Sequence, residues 1–155
     1  MPISNGIPAP NFSLQDETGT LRSLSDYRGK PVVLYFYPKD DTPGCTTEAC
    51  NFRDDYSHYT GTGVVILGVS PDSPKSHAKF KAKYGLPFPL LADIDHKVCE
   101  LYRVWGLKKA LGREYNGVFR TTYLIDENGM IIHVFENVKP AGHSAEILAE
   151  LKVGT

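Results

Sequence analysis

Apolar residues fall along this chain in two rhythms. Asn11-Phe12-Ser13-Leu14 and Thr20-Leu21-Arg22-Ser23-Leu24 alternate polar with apolar around Asp16-Glu17-Thr18-Gly19, the pattern of a half-exposed hairpin. Pro31 to Tyr37 and Val64 to Val69 are unbroken apolar runs, as in strands buried on both faces. Between them Cys45, Ala49, Phe52, Tyr56 and Tyr59 recur at helical spacing, predicting a helix of about a dozen residues. Strand, helix, strand at these distances is a βαβ unit, so the two strands are expected to be parallel neighbours.

Further on, Ser73 as N-cap, Pro74 in the first position and Gly85 as terminator predict a helix over 74–84. Phe88 to Asp93 reads as a short strand or connector, and a third helix is expected over about Asp95 to Val104. Thr121–Asp126 and Met130–Phe135 flank Asn128-Gly129, a strong hairpin signal, and a last helix is expected from about Ser144 to Leu151. A parallel βαβ half, an antiparallel hairpin and a terminal helix make an α/β plan of thioredoxin-like type, a mixed central sheet flanked by helices. Here it carries an amino-terminal β-hairpin and an inserted helix.

Composition narrows the function classes. At 155 residues and 41% hydrophobic, the chain suits one domain spanning 1–155 with one sizeable core. Seventeen Lys and Arg against eighteen Asp and Glu leave no basic excess, so neither nucleic acid nor a membrane surface is expected as a partner. No apolar run approaches the ~20 residues that span a bilayer. The opening Met1-Pro2-Ile3-Ser4-Asn5-Gly6 does not read as a signal peptide. Three cysteines are too few for a secreted disulfide scaffold, so a cytoplasmic location is expected.

The informative stretch is Pro38-Lys39-Asp40-Asp41-Thr42-Pro43-Gly44-Cys45-Thr46-Thr47-Glu48-Ala49-Cys50, which leaves a buried strand and opens a helix. Such strand-to-helix junctions are where α/β proteins place ligand sites. With Thr42 as N-cap and Pro43 in the first position, Cys45 falls in the first turn, near free backbone N–H groups and the positive end of the helix dipole. That setting favours a thiolate nucleophile over an inert core thiol. Cys50 lies five residues on. In a continuous helix the two Cα atoms stand roughly 8.7 Å apart, beyond the ~7 Å limit for a disulfide. Either the pair never bonds, or the first turn unwinds during the reaction.

Pro38-x-x-x-Thr42-x-x-Cys45 after a Phe-Tyr-Pro strand end resembles the reactive-cysteine motif of peroxiredoxins, and Cys50 five residues on resembles the peroxiredoxin Q, or bacterioferritin comigratory protein, subfamily. Gly85 to Asp93, Val104-Trp105-Gly106 and Arg120 to Asp126 support the resemblance in the expected order. It implies that Cys45 attacks a hydroperoxide and becomes a sulfenic acid, with Thr42 holding the peroxide and Arg120 stabilising the charge. It further implies that Pro38 shields the sulfur, Glu48 orients Arg120, and Cys50 resolves the sulfenic acid as a disulfide. Thioredoxin or a similar dithiol then reduces that disulfide, and the protein needs no cofactor or metal. A monomer is expected. Each residue also has a plainer reading: Thr42 a cap, Pro38 a strand end, Arg120 an exposed strand residue, Glu48 a complement to the helix dipole. Cys99 reads as structural. The rivals are a thiol–disulfide oxidoreductase, which would want Cys-x-x-Cys spacing, and a redox-sensing binding module.

Overall fold

The computed structural model describes residues 2–153. Its central sheet has seven strands: β1 (Ser13–Gln15), β2 (Leu21–Ser23), β3 (Val32–Phe36), β4 (Val65–Ser70), β5 (Leu90–Ala92), β8 (Thr121–Ile125) and β9 (Ile131–Phe135). They run in the order β2-β1-β5-β4-β3-β8-β9. The unbroken apolar runs sit at the centre, as their two-sided burial requires: β3 and β4 pair in parallel from Val32↔Val65 to Phe36↔Val69. β8 joins the other side of β3 antiparallel, and β9 follows it through the Asn128-Gly129 turn, where Gly129 takes φ +83.

Alternation along these strands divides the interior into two cores. Val32, Leu34, Phe36, Leu67, Val69, Tyr123 and Ile125 point to one face, and Val33, Tyr35, Tyr37, Ile66 and Leu124 to the other. The second face is covered by α1 (Pro43–Asp54), α2 (Tyr56–Thr60), α3 (Pro74–Tyr84) and α5 (His143–Val153), which contribute Cys45, Ala49, Phe52, Tyr59, Phe80 and Ile147. The first is covered by α4 (Lys97–Leu101) and its flanks, with Val98, Cys99, Tyr102 and Val104. No helix among the described residues is long and apolar enough to cross a membrane.

The predicted α3 forms as expected: Ser73 Oγ accepts from the Ser76 amide at 3.1 Å, and Gly85 ends the helix at φ +61. Two expectations need correction, and one element was not expected. The helix carrying Cys45 does not run through Tyr56 and Tyr59. Asp55 leaves helical geometry, its carboxylate accepts from Ser144 Oγ at 2.7 Å, and α2 starts afresh. The third helix is five residues rather than ten, because His96 (φ +49) and Arg103 (φ +60) sit in the left-handed region at its two ends. Between α4 and β8 lies an unpredicted hairpin, β6 (Trp105–Ala110) and β7 (Arg113–Val118). Its turn residues Leu111 and Gly112 both have positive φ, as a two-residue turn of the primed type needs. Leucine is an unusual choice there, and strands so exposed show little alternation to read.

Candidate active site

The chain leaves the centre of the sheet at Phe36 and enters α1 at Pro43. Thr42 holds the N-cap position in extended conformation, with its carbonyl accepting from the Thr46 amide at 2.8 Å. Its hydroxyl does not cap the helix. It donates to the Lys39 carbonyl at 2.9 Å, which leaves the oxygen's own acceptor capacity free. Pro43 has no N–H, and the amides of Gly44 and Cys45 make no hydrogen bond among the described residues. The first turn therefore presents two free donors beside the sulfur of Cys45, whose residue is 1% exposed.

Burial alone would fit an inert core thiol, but Arg120 faces the sulfur. Its Nη2 donates to Cys45 Sγ at 3.1 Å and its Nη1 to Glu48 Oε1 at 3.1 Å. Glu48 is one helical turn beyond Cys45, so a single guanidinium spans both side chains on one face of α1. Burial pushes the Glu48 carboxyl up to about 7, even though the Arg120 charge and hydrogen bond pull the other way. The predicted trio Cys45, Glu48 and Arg120 thus comes together across 75 residues of sequence.

Two residues not singled out from the sequence as parts of the site complete its walls. A Cβ on Gly44 would stand 2.8 Å from Arg120 Nη2 and 3.4 Å from Pro140 Cγ, so the missing side chain of Gly44 makes room for the guanidinium. Pro140 lies on the loop after β9, where the Val138 amide donates to the Arg120 carbonyl at 3.1 Å and Asn51 Nδ2 to the Pro140 carbonyl at 3.4 Å. Gly44 lies inside the cysteine motif and could have been suspected. Nothing in the sequence marks Pro140. Lys108 of β6 adds a second nearby cation; burial and then Arg120 lower its pKa, while Cys45 opposes them.

Pro38 is half-buried in the loop before α1, and Cys50 is half-buried within the helix. All three cysteines are unpaired. Since α1 is continuous from Pro43 to Asp54, the helical separation of roughly 8.7 Å applies to Cys45 and Cys50. Cys99 is fully buried in the core on the opposite face of the sheet. Burial drives its thiol far above the ordinary range, and the neighbouring Asp93 adds to the effect.

The AhpC/TSA family pattern matches residues 6–134. The chain belongs to that family. It is 52% identical over 152 residues to peroxiredoxin Bcp of Bacillus subtilis, covering 98% of this chain and 97% of that one. It is 44% identical over 151 residues to peroxiredoxin Bcp of Escherichia coli, covering 97% of each. Among solved structures, a cysteine-to-serine variant of Xylella fastidiosa peroxiredoxin Q superposes with TM-score 0.93 at 36% identity, covering 98% of this chain and 97% of that one. The bacterioferritin comigratory protein of Xanthomonas campestris, trapped as an intermediate/ligand complex to explain its alkyl peroxide reduction activity, gives 0.90 at 37%, covering 97% and 99%. This peroxiredoxin is therefore of the bacterioferritin comigratory, or peroxiredoxin Q, type, on the thioredoxin-like fold.

Proposed function

We propose that this peroxiredoxin reduces hydrogen peroxide and organic hydroperoxides through Cys45, with Cys50 as the resolving thiol. The observation that carries the reading is the Arg120 guanidinium, which donates to Cys45 Sγ and Glu48 at once, beside a helix start with two free amides. A nucleophilic sulfur held against fixed donors is arranged for charge that develops during attack, where preorganised donors act most strongly. The Cys45 sulfur attacks the terminal peroxide oxygen, so an S–O bond forms and the O–O bond breaks. The leaving oxygen takes the electron pair and a proton and departs as water or alcohol. Thr42 can position the peroxide, since its hydroxyl proton is spent on Lys39 while its acceptor side is open. Pro38 limits water access to the sulfur.

Cys50 then attacks the sulfenic sulfur, forming the disulfide and releasing water, after α1 has unwound enough to close the gap. An external dithiol, thioredoxin or a similar protein, takes over the disulfide by exchange. Cys99 has no part in this: the sheet lies between it and Cys45. A monomer of one domain contains every residue the cycle needs, and a cysteine pair that must be reduced after each turnover suits a reducing cytoplasm.

Purified protein mixed with hydroperoxide, thioredoxin, thioredoxin reductase and NADPH tests the reading. Sustained NADPH loss is expected, and Cys50→Ser should consume about one peroxide per chain and stop. Disulfide exchange without peroxide turnover would instead support the oxidoreductase rival. Full steady turnover by Cys50→Ser would remove Cys50 as resolver.

A further inference from the structure

The loop that delivers the chain into α1 is gripped by a buried polar cluster outside the reactive trio. The Asp40 carboxylate is almost entirely buried, yet three donors converge on it: Tyr37 Oη at 2.6 Å, Ser76 Oγ at 2.8 Å and His77 Nδ1 at 2.7 Å. The His77 side chain is completely buried, and its Nε2 lies 2.9 Å from the Leu91 carbonyl in β5. A carbonyl can only accept, so Nε2 carries a proton. The 2.7 Å contact at Nδ1 holds a further proton shared between the imidazole and Asp40, because a bare imidazole nitrogen would repel a bare carboxylate oxygen. The Asp40 amide donates to Asp72 Oδ2 at 2.8 Å, and Asp72 is held in turn by Ser70 Oγ at 2.7 Å. Asp40, Asp72 and His77 together suggest a metal cage. The 2.7 Å spacing is that of a hydrogen bond, however, shorter than the ~3.3 Å between neighbouring ligands on tetrahedral zinc.

The grip continues at the next residue. Asp41 sits at φ +58, and its carboxylate accepts from Lys83 Nζ at 2.8 Å and Tyr84 Oη at 2.7 Å. Ser76, His77, Lys83 and Tyr84 all belong to α3, so that helix fixes residues 40 and 41 from outside α1. The fixed section ends at Thr42, where the helix that has to unwind for resolution begins. A helix that melts and re-forms in each cycle meets its largest barrier in nucleation, and a pre-set start lowers it.

We infer that Asp40, held by His77 and Tyr37, is a positioning residue for peroxide reduction: through the backbone it sets Thr42 and the first turn of α1 against Arg120. The inference rests on the peroxidase reading of Cys45. It separates two steps of the cycle, since the anchor supports the geometry of the folded first turn and not the closure of the disulfide in the unwound one.

The test is rapid mixing of the reduced full-length protein with hydrogen peroxide, with thiol, sulfenic acid and disulfide followed separately by quench and mass analysis. Asp40→Ala is expected to slow sulfenic acid formation about tenfold or more, as small misplacements of reacting groups do, and to leave disulfide closure within about twofold. Asp40→Asn, whose amide can donate to a neutral His77 Nδ1, should recover most of the lost rate. Tyr37→Phe keeps the ring packing and removes one donor, and should cost about threefold in the first step alone; it decides the matter if Asp40→Ala does not fold. Parental rates of sulfenic acid formation in folded Asp40→Ala or Tyr37→Phe would overturn the inference, as would equal slowing of both steps. If the parent protein itself shows no oxidation of Cys45 by peroxide, the peroxidase reading fails rather than the anchor.

Discussion

Cys45 and Cys99 occupy matching places in two different helices. Each is the third residue of its helix, each is essentially fully buried, and each lies in one of the two cores on opposite faces of the sheet. The helix start therefore does not by itself distinguish them; what occupies it does. At α4 the Asp93 carboxylate accepts from the Val98 amide at 3.1 Å and the Cys99 amide at 2.7 Å, so the free donors are spent on an anion. At α1 the corresponding amides are unclaimed and a guanidinium lies on the sulfur. One site is closed and carries a negative charge beside the thiol; the other is open and carries a positive one.

Exchanging the thiols for hydroxyls separates the two sites most sharply. Cys45→Ser is expected to abolish NADPH-coupled peroxide reduction, while Cys99→Ser should leave it within about twofold, since Cys99 contributes packing alone. Comparable loss in both variants would erase the distinction. Next in size is the cation. Arg120→Ala should slow oxidation of Cys45 by about a hundredfold in stopped flow, the usual scale for losing a preorganised donor. Arg120→Lys should recover little of it, because an ammonium cannot replace a planar fork that reaches Cys45 and Glu48 together. The mirror experiment is Asp93→Ala, which leaves two buried amides unmet. It should cost ~1–3 kcal/mol of stability in denaturant titration without changing the peroxide step.

The Cys45 half of the comparison was largely legible in the sequence, because its signals are local. Thr-Pro at the helix start and the continuous apolar strand before it place Cys45 without reference to the rest of the fold. Arg120 was reachable only through resemblance, since nothing local ties it to a residue 75 positions earlier. The same distance hides Pro140, and hides Asp40 with its partners on α3. The β6–β7 hairpin is hidden for a different reason. Its strands are mostly exposed, so they lack the buried face that writes a period into a sequence. The sequence pattern around α4 reads longer than the helix is, because left-handed His96 and Arg103 are not residues that announce a boundary.

Glu48 sharpens the electrostatic side of the contrast. Its folded-state pKa of about 7 lies above the 4.5 of an ordinary glutamate, so between those values the folded protein holds a proton that the unfolded chain has released. Stability should therefore fall as pH rises from 4.5 to about 7, and above that the ionised carboxylate is a standing cost of at most about 3 kcal/mol. Glu48→Gln still offers an acceptor to Arg120 and should melt higher than the parent at pH 8 but not at pH 4. Identical pH dependence of the melting temperature in both proteins would show that Arg120 fully compensates the buried charge. Gly44 probes the same contact sterically. A methyl group there would press on Arg120 Nη2, so Gly44→Ala should slow Cys45 oxidation about tenfold through misalignment, even though alanine favours the helix.

The smallest expected effect concerns motion, and it falls on α1 alone. In the proposed cycle Cys45 and Cys50 must close a gap of ~2–4 Å beyond normal disulfide geometry, which side-chain rotation cannot supply. The segment is suited to melting: Gly44, Thr46 and Thr47 are weak helix formers, and Thr47 Oγ1 bonds back to the Pro43 carbonyl at 3.0 Å, a pattern that loosens helices. Thr46 is half-buried and Thr47 exposed, so replacing both with alanine should act mainly through propensity, by up to ~1 kcal/mol. Disulfide formation should then slow by up to about fivefold, and a larger share of Cys45 should be over-oxidised when peroxide is in excess, because the sulfenic acid waits longer in the folded site. Amide exchange over residues 42–51 should be faster in the disulfide form than in the reduced form. No such change is expected around Cys99, whose helix start is tied to Asp93 in both states. Equal protection of residues 42–51 in the two redox forms would show that α1 does not unwind, and the pairing of Cys45 with Cys50 would lose its route.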